Sequence, residues 1–355
     1  MAKKIGIIAK KTSTILFVIL FIINSAACGV KKTSRYEAEF LVLFDTMTKI
    51  VAYTDSKDEF TRQSQFIYDE LKEYHELYDI YNDYEGISNI KTINDHAGIA
   101  PVKVDRRIID LILFAKDWYK KTDGKMNIAF GAVLRIWHDY RTAGTDDPDN
   151  ARLPPMEQLE AAAKHTDIAK VMIDEEKSTV FLEDSEMSLD VGAVAKGYAA
   201  EQVSRLAVKN GFTSGLISVG GNVCAIGPKG ETGSPWNVGI QNPDPESEQS
   251  NIEIVNLIDY SLVTSGNYER FYTVDGKNYH HIIDPETLFP TEYFSSVTII
   301  CRNSGMADAL STAVFNMPFE QGYEFIESLQ DTEAFWVMLD GGIKYSSRFS
   351  DFIKK

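Results

Sequence analysis

The chain has 355 residues, 44% of them hydrophobic and 25% charged, which is ordinary globular composition with ample material for a large core. Its formal net charge of −16 argues against a surface that attracts nucleic acid or anionic headgroups, so an anionic ligand would have to be held by local features such as helix ends or a cation. No Cys/His cluster has zinc-ligand spacing, and the spacing of Cys224 and Cys301 does not demand a disulfide.

Lys3, Lys4, Lys10 and Lys11 precede an unbroken apolar run, Ile15 to Ile23, after which small residues lead to Cys28. A run this short does not span a bilayer, and the basic, apolar, small order is that of an export signal. Ser25-Ala26-Ala27-Cys28 resembles a bacterial lipoprotein processing site, with Ser25 where such sites usually carry Leu. The expectation is a signal peptide over 1–27, a lipidated Cys28 and tether over 28–37, and one domain over 38–355. That domain would be exported and anchored to the outer, or periplasmic, face of a bacterial cytoplasmic membrane; a plain secretory signal is the other reading. Loss of 1–27 removes four lysines and no acid, taking the net charge from −16 to −20.

Ala38 to Thr54 reads as a strand pair around Phe44-Asp45-Thr46, and Phe60 to Tyr81 has apolar residues at helical spacing. Tyr81, just before a polar turn, is a ligand candidate. Asp105 reads as the N-cap of a second helix that ends at Thr122-Asp123-Gly124, and Thr142 to Pro155 reads as a surface loop. Met187 to Val191 reads as a buried strand end, followed by a helix from Lys196 to Lys209 with Gly211 as its C-terminal stop. From Gly215 the chain is strand-rich: Gly215 to Val223, Trp236 to Gln241, Ile252 to Ile258, Ser261 to Ser265, a hairpin across Asp275-Gly276, and Ser296 to Cys301. Helices over Ala307 to Phe315 and Phe319 to Leu329 and a closing hairpin over Ala334 to Tyr345 complete an α+β chain with a mainly antiparallel sheet.

Four stretches put polar groups in apolar company. Leu189 to Ala199, LDVGAVAKGYA, places a carboxylate, a small-residue turn and Lys196 at a helix start, where unpaired N–H groups and the dipole favour phosphate. Gly220, Gly221 and Asn222 suit close backbone approach to a ligand. His281 and Asp284 lie three apart at a strand end. Asp308 and Thr312 stack at i and i+4 on one helix face, and a magnesium ion needs only one or two carboxylates beside substrate phosphates.

In order, LDVGAVAKGYA, SVGGNV, VTSGNYERFY, YHHIIDPETLFP and ADALSTAVF resemble the ApbE family of FAD:protein FMN transferases, from about Phe44 to about Met338. The resemblance implies a single T-fold-related domain, FAD as substrate, Mg²⁺ as cofactor, and transfer of FMN to a Thr or Ser hydroxyl of an exported or membrane redox protein with release of AMP. It implies Asp308, Thr312 and the Ala193 carbonyl as metal ligands. Phe44, Tyr81, Lys125, Met126, Asn127, Asp190, Lys196, Gly220, Gly221, Asn222 and Ile283 would contact the cofactor, and His281, or else Asp284, would take the acceptor proton. A base with a near-neutral pKa suits that work. Two residues depart from the family pattern: Glu286 replaces a basic residue and Leu288 a glycine. The same site could instead hydrolyse FAD to FMN and AMP, or bind FAD without catalysis; a lipoprotein for another solute leaves the motif order unexplained.

Overall fold

The computed structural model describes residues 33–355, so the expected signal peptide, Cys28 and the first part of the tether lie outside the described residues. In chain order the elements are β1 (Ser34–Leu43), β2 (Thr46–Thr54), α1 (Lys57–Tyr78), α2 (Ile90–Asp95), β3 (Val102–Lys103), α3 (Arg106–Lys121), α4 (Gly131–Asp146), α5 (Met156–Ala163), β4 (Val171–Asp174), β5 (Thr179–Leu182) and α6 (Ala195–Lys209). The strand-rich half follows as β6 (Gly215–Val219), β7 (Asn222–Ile226), β8 (Trp236–Gln241), β9 (Asn251–Leu257), β10 (Ser261–Gly266), β11 (Phe271–Val274), β12 (Lys277–His280), β13 (Phe294–Cys301), α7 (Ser304–Phe315), α8 (Phe319–Glu327), β14 (Glu333–Met338) and β15 (Ile343–Tyr345). The first strand therefore starts inside the stretch expected as tether.

Eight strands form one sheet in the order β1-β2-β6-β7-β10-β13-β14-β15, every neighbouring pair antiparallel. Successive side chains on a strand point to opposite faces, and the sheet uses both. Ile50 and Ile299 face a core shared with α1, α6 and α7, whereas their neighbours Val51 and Ile300 face a second core closed by the β8–β9 ribbon. A third cluster, built on Trp137 of α4, packs against the β11–β12 hairpin. Cys224 and Cys301 are buried free thiols, and among the described residues no helix is long and apolar enough to cross a membrane.

Two expectations are corrected. Met187 to Val191 is not a strand. Its backbone groups are satisfied elsewhere: the Asn94 side chain takes the Leu189 N–H at 2.7 Å and donates to its carbonyl at 2.9 Å, while the Asp190 N–H bonds Ile128 O at 2.8 Å. The supposed loop from Thr142 begins as the last turn of α4, a helix whose Gly131, Gly144, Thr142 and Thr145 are poor helix formers. Burial of Val133 and Trp137 in the third cluster supplies what propensity lacks.

Candidate active site

A cleft of about 490 Å³ opens where the β1–β2 turn, the end of α1, α4, the start of α6, the β6–β7 turn, the segment after β12 and α7 converge. Phe44, Tyr81, Lys125, Met126, Asn127, Asp190, Ala193, Lys196, Gly220, Gly221, Asn222, His281, Ile283, Asp308 and Thr312 all line it. Asp284 is brought near but lies behind the lining, 2% exposed, with Oδ1 held by Lys125 Nζ at 3.0 Å and by the Glu286 N–H at 3.1 Å.

The start of α6 builds one end of the site. Asp190 accepts the Gly192 N–H at 2.8 Å, turning the chain into the helix, whose first turn carries Lys196. Val194 at the N-cap offers no side-chain acceptor, so the helix-start N–H groups depend on the fold around them. One of them, Gly197 N–H, donates to Asp308 Oδ2 of α7 at 2.7 Å. A Cβ on Gly197 would stand 2.4 Å from Asp308 Cβ and 2.4 Å from Ser304 O, so glycine is what lets the two helices come this close. Burial pushes the Asp308 carboxyl above its usual range, against the pull of Lys196, the Gly197 N–H and Asn222. The buried Asn222 amide is near enough to favour the charge yet its Nδ2 has no partner in hydrogen-bond geometry. A carboxylate short of compensation, the Thr312 hydroxyl one turn on and the Ala193 carbonyl form a hard oxygen set, and these residues fit a divalent cation completed by substrate phosphates and water. Among the described residues no group of three His, Cys, Asp or Glu side chains could hold a metal.

Phe44 and Asp45 both take positive φ, +56° and +52°, in the turn between β1 and β2. A directional chain fixes that turn: the Phe44 N–H donates to His75 Nδ1 at 3.2 Å, which leaves the proton on Nε2 to face Tyr84 Oη at 3.3 Å, and Tyr84 donates to Asp79 Oδ2 at 2.7 Å. Tyr81 is 56% exposed and leans on His138, ring centroids 5.6 Å apart.

His281 is half-buried in the cleft. Its Nδ1 faces the Arg270 carbonyl at 3.3 Å, so that nitrogen carries the proton and Nε2 is free to accept one. Burial, then the charges of Arg270, His280, Arg141 and Lys196, pull its pKa down to about 3, far below the near-neutral value expected from the sequence. Asp190 is pushed up by the same desolvation, since protein surrounds it although the cleft leaves it partly accessible. Glu286, the acid in place of a basic residue, lies 3.1 Å from Lys125 Nζ and shares that charge with Asp284. Leu288 sits at φ +62°, the conformation that favours the glycine it replaces; its side chain is buried in the third cluster and its carbonyl accepts Trp137 Nε1–H at 3.0 Å.

Sequence reasoning missed Arg141, His138 and His75, and passed over Arg270 inside VTSGNYERFY, although all four line the cleft. A charged residue beside an aromatic pair in that motif was the available signal for Arg270; Arg141 was hidden because α4 was not foreseen.

These motifs, separate in sequence, meet on one cleft in one fold, and a model described as the ApbE family matches residues 44–336. The chain belongs to the ApbE family. An FAD:protein FMN transferase of Treponema pallidum (strain Nichols) is 34% identical over 281 residues, covering 75% of each chain. One from Klebsiella pneumoniae (strain 342) is 33% identical over 261 residues, covering 73% of this chain and 78% of its own. The crystal structure of the ApbE protein from Thermotoga maritima MSB8 superposes with a TM-score of 0.79 at 30% identity, covering 91% of this chain and all of that one. A flavin transferase ApbE from Vibrio cholerae shares the fold, with a TM-score of 0.73 at 23% identity over 90% of this chain and 99% of that one. The α+β, mainly antiparallel ApbE-type domain expected from the sequence is the one observed.

Proposed function

We propose that this ApbE chain transfers FMN from FAD to a Thr or Ser hydroxyl of a partner protein and releases AMP. The observation that carries the reading is that His281, with Nε2 free to accept a proton, shares one cleft with the phosphate-favouring start of α6 and the Asp308/Thr312 pair. The names of the relatives, FAD:protein FMN transferase, agree with it.

The acceptor oxygen bonds to the FMN-side phosphorus, the bond from that phosphorus to the oxygen of AMP breaks, and the hydroxyl proton passes to His281 Nε2. Phosphoryl chemistry of this kind asks the protein mainly for position and charge. Phe44 and Tyr81 border the flavin, the fixed β1–β2 turn holds Phe44 in place, and Lys196 with the N–H groups of α6 faces the pyrophosphate. Asp308, Thr312 and the Ala193 carbonyl would hold Mg²⁺, which neutralises charge on the pyrophosphate when bound. A histidine pulled down to about 3 is a weak base in the free protein; bound phosphates would offset the surrounding cations and restore its basicity.

The test is incubation of residues 29–355 with FAD, Mg²⁺ and a flavin-acceptor domain, followed by intact mass of the acceptor. A gain of one FMN, absent in Asp308→Ala, is the expected result; free AMP and FMN without adduct would move the reading to FAD hydrolysis, and bound FAD without product to a flavin-binding protein. We further propose that the enzyme is lipid-anchored through Cys28 on the outer face of the membrane, on the strength of the basic, apolar, small order of 1–27. Incorporation of labelled fatty acid that persists in Cys28→Ala would overturn this.

A further inference from the structure

We propose that Arg141 and Arg270 form a subsite for the FMN-side phosphate of FAD, separate from the helix-start site at Lys196. The inference rests on the transferase reading above. The two guanidinium groups come from α4 and from the link between β10 and β11, and both line the cleft. Among the described residues neither lies within ion-pair distance of a carboxylate, although Asp146 and Glu269 border the adjoining depression. Arg106, Arg107, Arg205 and Arg348 by contrast each hold one. In a chain with 52 acidic against 36 basic residues, two neighbouring arginines without a direct ion pair, Arg141 drawn only at longer range to Asp190, are an electrostatic cost that an anion would relieve. Burial and the like charge of Arg270 hold the Arg141 guanidinium below its ordinary value, which is the same cost seen from one partner.

The Arg141 guanidinium and the Arg270 backbone are placed before any ligand arrives. Arg141 Nη2 donates to His138 Nδ1 at 3.0 Å, and the His138 ring leans on Tyr81, on the expected flavin side. The Arg270 carbonyl accepts the His281 N–H at 3.0 Å and faces His281 Nδ1, so Arg270 and the proton acceptor share one anchor. The Arg270 charge also reaches the His281 ring, so a phosphorus attacked by a hydroxyl that His281 deprotonates lies within the field of that guanidinium. The planar fork of a guanidinium matches two phosphate oxygens at once, and two forks spread the charge that builds as the acceptor bond forms and the bond to AMP breaks.

Riboflavin and FMN differ by this one phosphate, so calorimetric titration of both into wild type, Arg141→Gln, Arg270→Gln and Arg270→Lys isolates it. The expected result is an FMN affinity weakened about ten- to a hundredfold by either Gln variant, riboflavin affinity changed by less than about twofold, and partial recovery in Arg270→Lys. Arg270 is exposed at the lip, so its variants test the idea even where Arg141→Gln disturbs α4. The inference falls if FMN and riboflavin weaken together or if FMN affinity is unchanged. Wild type that binds neither FAD nor FMN would instead sink the transferase reading on which the inference stands.

Discussion

At single positions the site holds groups in forms the fold disfavours. Asp308 is 4% exposed, and burial opposes its charge. Asp308→Asn keeps an oxygen for the Gly197 N–H and removes the charge, so metal-free protein should become more stable by about 0.5–2 kcal/mol, the usual yield of relieving a functional compromise. The rise in melting temperature that Mg²⁺ and FAD give wild type should vanish in the same variant; an equal rise in both would remove Asp308 from the metal site. Leu288 presents two opposed terms. Its left-handed backbone costs about 1–2 kcal/mol, while its buried side chain is worth about 2–5 kcal/mol against truncation. Packing wins, so Leu288→Gly should lower stability by about 1–3 kcal/mol in denaturant titration, despite restoring the residue type the family pattern carries there; a stabilised variant would mean that strain dominates.

Between elements, the decisive contact is α6 against α7. Gly197→Ala gains about 1 kcal/mol of helix propensity, but the added carbon meets a Cβ and a backbone carbonyl at 2.4 Å, neither of which is a flexible tip. Forcing the helices apart costs about 1–3 kcal/mol and shifts Asp308 and Thr312, both on α7, away from Ala193 at the start of α6. Lower melting temperature together with weaker metal-dependent activity is expected; loss of stability with activity intact would show that the spacing serves packing alone. The same contact marks what the sequence discloses and what it withholds. Asp105, Gly211, the Asp275-Gly276 turn and the spacing of α1 are local signals, and the structure carries each of them. Met187 to Val191 misled because its satisfaction comes from Asn94, remote in sequence, and α4 was invisible because tertiary burial of Trp137 overrides weak propensity. Asp308 and Thr312 could be paired from helical spacing, but that Asp308 accepts the Gly197 N–H at the start of α6 is a fact of two helices meeting.

At the scale of the molecule, the fold gathers cations around His281 within an acidic body: Arg270, Arg141 and Lys196 reach it from three separate segments and His280 from the adjacent position in the chain. Folding takes its pKa from 6.5 to about 3, so the folded protein binds fewer protons than the unfolded chain between those values. Its contribution to stability is therefore complete above pH 6.5 and is lost progressively as the pH falls toward 3. Asp190 and Asp308 act in the opposite sense, since raised carboxyl pKa values make the folded state the better proton binder and favour it as the pH falls through the carboxylate range. The acid limb of stability just below pH 6.5 thus belongs to His281 together with its neighbour His280, whose pKa burial also lowers, and His281→Gln should make it shallower in pH-dependent melting curves. Activity follows the same field, because the profile of kcat/KM reports the free enzyme. It should stay level from pH 8 to about 5, where a solvent-exposed imidazole would already have lost activity near 6.5. Removing one cation, as in Arg270→Gln, raises the proton affinity of His281 and should move that limb toward neutral pH. A wild-type limb already near 6.5 would mean that the cations do not act on His281 in solution, and an unmoved limb in Arg270→Gln would mean that desolvation alone sets its state.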